Sequence, residues 1–165
     1  MNIHDILNKI MNDYLKKIKE ENCNSQSSMY QLVVNETKQI ITKNIEQMNI
    51  IDMELEVKSS CGKGGWTYNP WIAIFNPKIT KTIQEGVYIV YLFSRDMNRV
   101  YLTLNQGYTN LQNKLGKKDS KLEMIKKRNY LRSKLNKYDF KDDNNINVEK
   151  TEYEEGCIFY KQYNL

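Results

Sequence analysis

The hydrophobic residues of this chain change their spacing near residue 50, and that change sets what it can fold into. Ile6, Leu7, Ile10, Met11, Tyr14, Leu15 and Ile18 recur at three- and four-residue steps with lysines between them, the pattern of an amphipathic helix over 3–19 with Asn2 as its cap. Ser28 followed by Gln31 fits a capping box for a second helix reaching Met48, with Leu32, Val33, Ile40, Ile41, Ile45 and Met48 inward and Asn35 as an alternative start. From Met53 the period drops to two. Met53, Leu55 and Val57 alternate with Glu54, Glu56 and Lys58, as in a half-buried strand.

More strands follow. Trp71–Phe75 is a short apolar run closed by Asn76-Pro77, and 79–85 reads as a short helical turn. Val87-Tyr-Ile-Val-Tyr-Leu-Phe93 is rich in β-branched and aromatic residues, and Ser94–Asn98 has hairpin length before Arg99-Val-Tyr-Leu-Thr-Leu104. These two strands are expected to pair antiparallel. Tyr108–Leu115 reads as helical. Ser120 with Glu123 fits a second capping box, opening a helix to Lys137 with Leu122, Ile125, Leu131 and Leu135 inward. Ile158-Phe-Tyr160 is the last strand, at another edge of the sheet. A chain of 165 residues without an internal repeat or linker is expected to form one domain, 1–165.

Charge is distributed unevenly. The balance runs −3 over residues 1–57, +4 over 58–111, +8 over 112–137 and −4 over 138–165. The basic stretch holds Lys114, Lys117, Lys118, Lys121, Lys126, Lys127, Arg128, Arg132, Lys134 and Lys137. It suits sequence-blind phosphate contact, and equally a solvated helix face. Lys58, Arg95, Arg99, Lys117, Lys118 and Lys121 are the candidate phosphate contacts.

Enzymatic chemistry finds little to work with. The single histidine, His4, cannot build a histidine metal cluster or a Ser-His-Asp triad. Cys61 beside Lys63 has a cation to favour thiolate but no histidine partner. Asp142-Asp143 lacks the ligand spacing of a calcium loop. Three dispersed cysteines without a CxxC pair suit reduced thiols in a cytosolic protein, and no window has the apolar length of a membrane span. The expectation is a non-catalytic, cytoplasmic binding domain without metal or cofactor.

The remaining signal is aromatic. Three glycines and two tryptophans fall within Gly62–Trp71, which pairs a pliable turn with rings that are costly to expose without use. Gly62-Lys-Gly-Gly65 lacks P-loop and dinucleotide spacing, so it is either a nucleic-acid-contacting turn or a structural one. On the first of these readings the contacting loop comprises Cys61, Gly62, Lys63, Gly64, Gly65, Trp66, Thr67, Tyr68 and Asn69. Strand alternation puts Tyr88, Val90 and Leu92 on one face and Val87, Ile89, Tyr91 and Phe93 on the other. An ordinary core accounts for any one of these rings alone.

Gly62-Lys-Gly-Gly-Trp-Thr-Tyr-Asn-Pro-Trp-Ile-Ala-Ile-Phe75, Gly86-Val-Tyr-Ile-Val-Tyr-Leu-Phe93, Val100-Tyr-Leu-Thr-Leu-Asn-Gln-Gly107 and Tyr153-Glu-Glu-Gly-Cys-Ile-Phe-Tyr160 together resemble the N-terminal DNA-binding domain of McrB-type restriction proteins. The likeness is clearest over 53–160. It implies an α+β fold with a central mixed or largely antiparallel sheet flanked by helices. It also implies a reader of modified cytosine, such as 5-methylcytosine, in double-stranded DNA, the specificity domain of a type IV restriction or related antiviral system. The family's pocket, into which the base is flipped, maps by motif onto Trp71, Tyr88 and Leu92. Its third ring falls at Lys63, so the modification read is left open. The resemblance further implies an AAA+ GTPase motor and a separate nuclease subunit outside this chain. The competing expectation is a protein-interaction module of a defence complex.

Overall fold

Residues 1–50 and 52–164 are described by the computed structural model. The run expected to be the firmest strand is β3, Val87–Phe93, and it pairs antiparallel with β4, Val100–Gln106. Ser94 and Asp96 close the hairpin between them: Ser94 N donates to Arg99 O at 2.9 Å and Asn98 N to Asp96 Oδ1 at 3.1 Å. β2 is Trp71–Phe75, β1 is Glu56–Ser60 and β5 is Phe159–Tyr163. All neighbours are antiparallel, in the spatial order β1-β2-β3-β4-β5. The sheet is therefore a plain meander flanked by helices, an α+β fold.

Register gives each face its own job. Val57 lies opposite Ile74, Ile72 opposite Tyr91 and Phe93 opposite Val100 on one face. The N-terminal helices cover the β1–β2 side of it: α1 (Ile3–Glu20), α2 (Ser28–Tyr30), a π-helical turn (Gln31–Glu36) and α3 (Thr37–Gln47). Ile6, Ile10, Tyr14, Leu32, Val33 and Ile41 bury there with Ile72 and Phe93. Asn2 caps α1 as expected, accepting from Asp5 N at 3.0 Å while Asp5 returns the bond. The opposite face carries Trp71, Ala73, Tyr88, Val90, Leu92 and Tyr101. The C-terminal segment partly covers it, with Ile146, Val148, Cys157 and Tyr160 buried in that second cluster.

Several local expectations are corrected. Ser27, not Ser28, caps the second helix, its hydroxyl accepting from Tyr30 N at 3.2 Å. Ser28 instead donates to the Glu21 carboxylate at 2.5 Å. That helix is not uniform: Thr37 donates its hydroxyl to Leu32 O, five residues back, at 2.7 Å, inside the π-helical register. Met48 is exposed rather than inward. β1 starts at Glu56, because its partner β2 ends at Phe75 ahead of Asn76-Pro77 and offers Met53 no ladder. Residues 79–85 form turns rather than helix.

The two helices expected after β4 run as α4, Thr109–Lys134, broken only at Gly116 (φ 81°, ψ 170°). Ser120 is a buried position within it, not a cap, donating to Lys117 O. Its inward residues are Ser120, Met124 and Arg128, whereas Leu122 and Leu135 face solvent. The short helix α5, Thr151–Gly156, had no sequence expectation.

Candidate functional site

A cavity of about 250 Å³ opens on the sheet face that carries Trp71 and Tyr88. Its floor follows from register. Trp71 stands opposite Leu92, Ala73 opposite Val90, and Tyr88 opposite Asn105. The middle row thus offers only a methyl and an isopropyl group between two bulkier rows, and a hollow results. Ile83 and Gln84 form one wall, Tyr108 and Thr109 at the start of α4 another, and Tyr153 of α5 a third.

Glycine and amide chemistry hold these walls in place. A Cβ on Gly107 would lie 2.4 Å from Glu85 N and 2.6 Å from Ile83 O, so only glycine lets the 83–85 turn close on the end of β4. That turn is tied by Gly107 N to Gly86 O at 3.0 Å and by Asn110 N to Gln84 O at 3.1 Å. Buried Asn105 donates Nδ2–H to Tyr153 O at 3.0 Å and accepts from Gln106 N at 2.7 Å. Gln106 donates from Nε2 to Met124 O at 2.9 Å and Gly156 O at 3.3 Å. The two carboxamides therefore pin α4 and α5 to the sheet.

Among the described residues no charged side chain lines the cavity. Tyr88 donates its hydroxyl to Ile83 O at 2.8 Å, and burial, then the neighbouring Tyr108, pushes its phenol up to about 12. Burial raises Tyr153 as well, so both rings stay neutral. The arrangement suits a flat, uncharged, partly apolar ligand of one ring system, below the usual drug-sized pocket range of about 300–1,000 Å³.

Trp71, Tyr88 and Leu92 share this cavity; Lys63 does not line it and stands exposed on the glycine loop. Ile83, Gln84, Asn105, Gln106, Tyr108, Thr109 and Tyr153 complete it without having been singled out by sequence. Asn105, Gln106 and Tyr153 stood in the sequence only as parts of the motifs that carry the family resemblance, and Asn105-Gln-Gly107 was expected to end the strand that in fact runs to Gln106.

The glycine loop splits into two parts. Tyr14 donates its hydroxyl to Thr67 O at 2.7 Å and lies 3.3 Å from Cys61 O, while Thr67 N closes the turn onto Cys61 O at 2.9 Å. Gly62 sits at φ 125°, where a Cβ would meet Gly65 O at 1.9 Å. Trp66 donates its indole N–H to Glu21 O at 2.7 Å and meets Tyr14 edge-on at 6.0 Å. Cys61 is fully buried, and that burial pushes its thiol up to about 12, which leaves no thiolate nucleophile. Asn69 is buried too, donating to Val148 O at 2.6 Å. The side chains of Cys61, Trp66 and Asn69 thus turn inward, a correction to the loop as a uniform contact surface. Lys63, Gly64, Gly65 and Tyr68 remain outward, with the Arg95 guanidinium 4.7 Å above the Tyr68 ring.

The basic stretch also divides. Arg128 reaches Glu155, and Arg132 donates to Ile158 O at 2.7 Å and Cys157 O at 3.1 Å, so the two arginines fasten α4 to α5 and to the 157–158 link that leads into β5. Lys121 pairs with Glu155 at 3.0 Å, Lys137 with Asp142 at 3.2 Å, and Arg99 with Asp96 at 3.8 Å. Lys58 stands over the Phe75 ring at 5.1 Å. Lys114, Lys117, Lys118, Lys126 and Lys127 are exposed and have no carboxylate partner among the described residues. Among those residues no group of three His, Cys, Asp or Glu could hold a metal, and no helix is long and apolar enough to cross a membrane.

A family model described as the MrcB-like, N-terminal domain matches residues 9–165. No curated protein matches the chain.

Proposed function

The chain belongs to the MrcB-like N-terminal domain family, and from that premise we propose that it recognises modified cytosine in double-stranded DNA by receiving the flipped base in the Trp71–Tyr88 cavity. One observation carries the reading: residues from two adjacent strands, Trp71 and Leu92 at one end and Tyr88 at the other, meet in a single neutral hollow of about 250 Å³.

In this mechanism the exposed lysines of α4 and the outward part of the glycine loop hold phosphates, which positions the duplex without reading sequence. Tyr68, exposed on that loop beneath Arg95, supplies the ring that would occupy the space left by the extruded base. Trp71 and Tyr88 offer ring faces to that base, and stacking of this kind is worth about 1–3 kcal/mol, against an unstacking cost of a few kcal/mol. Leu92, Val90 and Ile83 give apolar contact to a substituent at the pyrimidine 5-position. No bond is broken, so the domain, spanning 1–165, acts as the cytoplasmic specificity module of a type IV restriction or related antiviral system. An AAA+ GTPase motor and a nuclease subunit would supply the cleavage.

The test is a binding panel of matched duplexes with unmodified, methylated, hydroxymethylated and glucosylated cytosine at fixed salt. Preference for one modified duplex that vanishes in Trp71→Ala supports the reading. Equal binding of all duplexes, indifferent to Trp71, removes it.

A second reading, a protein-interaction module of a defence complex, draws on the opposite face. There Ile89, Leu102, Leu104, Phe140 and Phe159 border an apolar hollow of about 210 Å³, with Tyr138 80% exposed beside it. A stable protein partner together with absent DNA binding would favour it.

A further inference from the structure

The cavity holds a carboxamide that cannot turn. Asn105 is 2% exposed and projects from β4 on the same face as Tyr88, its partner in register. Its Oδ1 is engaged by Gln106 N at 2.7 Å and faces Gly156, where a Cβ would lie 2.7 Å from that oxygen. Its Nδ2 donates one proton to Tyr153 O at 3.0 Å. Rotating the carboxamide would set oxygen against the Tyr153 carbonyl and the amino group against an N–H, breaking both bonds at once. The orientation is thus fixed by the backbone on either side. One Nδ2 proton is left over, and no acceptor among the described residues takes it.

The other lining carboxamides and hydroxyls either have spent their protons or are free to turn. Gln106 spends both amino protons on Met124 O and Gly156 O. Tyr88 gives its hydroxyl proton to Ile83 O. The hydroxyls of Tyr108, Tyr153 and Thr109 rotate and can donate or accept, and Gln84 lies exposed at the rim.

We propose that the spare Nδ2–H of Asn105 donates to ring N3 of the flipped base, making Asn105 the residue that tells cytosine from thymine. This rests on the flipped-base reading above. Cytosine N3 is an acceptor. Thymine carries N3–H, so the same pose would press donor against donor in a buried site, and Asn105 cannot flip to relieve it. Thymine is also the deaminated form of 5-methylcytosine, with the same methyl group. Shape and stacking cannot separate the two bases; the N3/C4 edge can.

The experiment compares three duplexes at one position and one salt concentration: 5-methylcytosine opposite guanine, cytosine opposite guanine, and thymine opposite guanine. A mismatched base is easier to extrude, so a cavity blind to the edge would bind the thymine duplex at least as tightly as the methylated one. The expected result is the reverse, with thymine bound at least about tenfold more weakly. In Asn105→Asp, which keeps an acceptor for Gln106 N but has no N–H to offer, that ratio should fall to within about threefold. The wild-type comparison stands alone if the variant does not fold. Thymine bound within tenfold of 5-methylcytosine, with both lost in Trp71→Ala, would overturn the role of Asn105 and leave the pocket standing. No preference for 5-methylcytosine over cytosine, and no effect of Trp71→Ala, would remove the pocket and this inference with it.

Discussion

Trp66 and Trp71 lie five residues apart in one glycine-rich motif and do opposite work. Trp66 turns toward the N-terminal helices, where Glu21 O takes its indole proton and Tyr14 meets its ring. Trp71 turns to the other side of the sheet and lines the cavity with its ring unpaired among the described residues. Trp71 takes its side from the two-residue alternation of β2, whereas Trp66 lies in the loop before it and takes its side from its contacts with Glu21 and Tyr14. A costly ring can therefore be structural or available, and the neighbours decide which.

The largest expected effect separates the two. Trp66→Ala should cost about 3 kcal/mol of stability through lost packing and a lost, partly buried hydrogen bond, read as a shift in urea midpoint. The duplex preference of the folded fraction should be retained. Trp71→Ala should reverse that pattern: about 1 kcal/mol of stability, but a loss of modified-base preference of about 5- to 150-fold, the equivalent of about 1–3 kcal/mol of stacking. Loss of preference in Trp66→Ala at full folding would erase the contrast.

Acid sharpens it next. Hydrogen bonds from Ser27 first, then Ser28, hold the Glu21 carboxyl down to about 2 from an ordinary 4.5. A depressed carboxyl contributes stability above its unfolded value and loses it as pH falls. The Trp66 side should accordingly weaken between about pH 4.5 and 2, seen as falling urea midpoints across that window. Glu21→Gln should lower the neutral-pH midpoint and flatten the acid limb. An acid limb identical to wild type would show that Glu21 does not anchor this region.

The smallest effects belong to single surface cations. Alanine at Lys117, Lys118, Lys126 or Lys127 should change stability by less than about 0.5 kcal/mol. Each should weaken modified and unmodified duplexes alike and reduce the log–log salt slope by about 0.9 if it meets a phosphate. Arg128→Ala and Arg132→Ala make the control, since these side chains tie α4 to α5 and to residues 157–158 and should destabilise the fold instead.

The parts legible in the sequence were those governed by near neighbours. α1, with its Asn2 cap, and the β3–β4 hairpin have strong local periods, and both formed as expected. The face of α4 was not legible, because buried Arg128 is paired through its terminal nitrogen with Glu155, a residue 27 positions away on a helix of only six residues. The apolar residues Leu122 and Leu135 pointed to the wrong side for the same reason. At the site, Tyr88 and Leu92 could be placed on one face by alternation alone. Asn105 and Tyr153 could not, because their roles depend on a bond spanning 48 residues. Cys61, Trp66 and Asn69 looked like loop chemistry until Tyr14, Glu21 and Val148 supplied their partners.

Photocrosslinking tests the central claim most directly. A duplex with a single 5-iodocytosine at the target position would be irradiated in complex and the attached residue mapped by peptide sequencing. A base held in the cavity predicts attachment to Trp71 or Tyr88, and its disappearance when that residue is replaced by leucine. Attachment only at Tyr68 or elsewhere on the outward loop, with Trp71 and Tyr88 untouched, would contradict it.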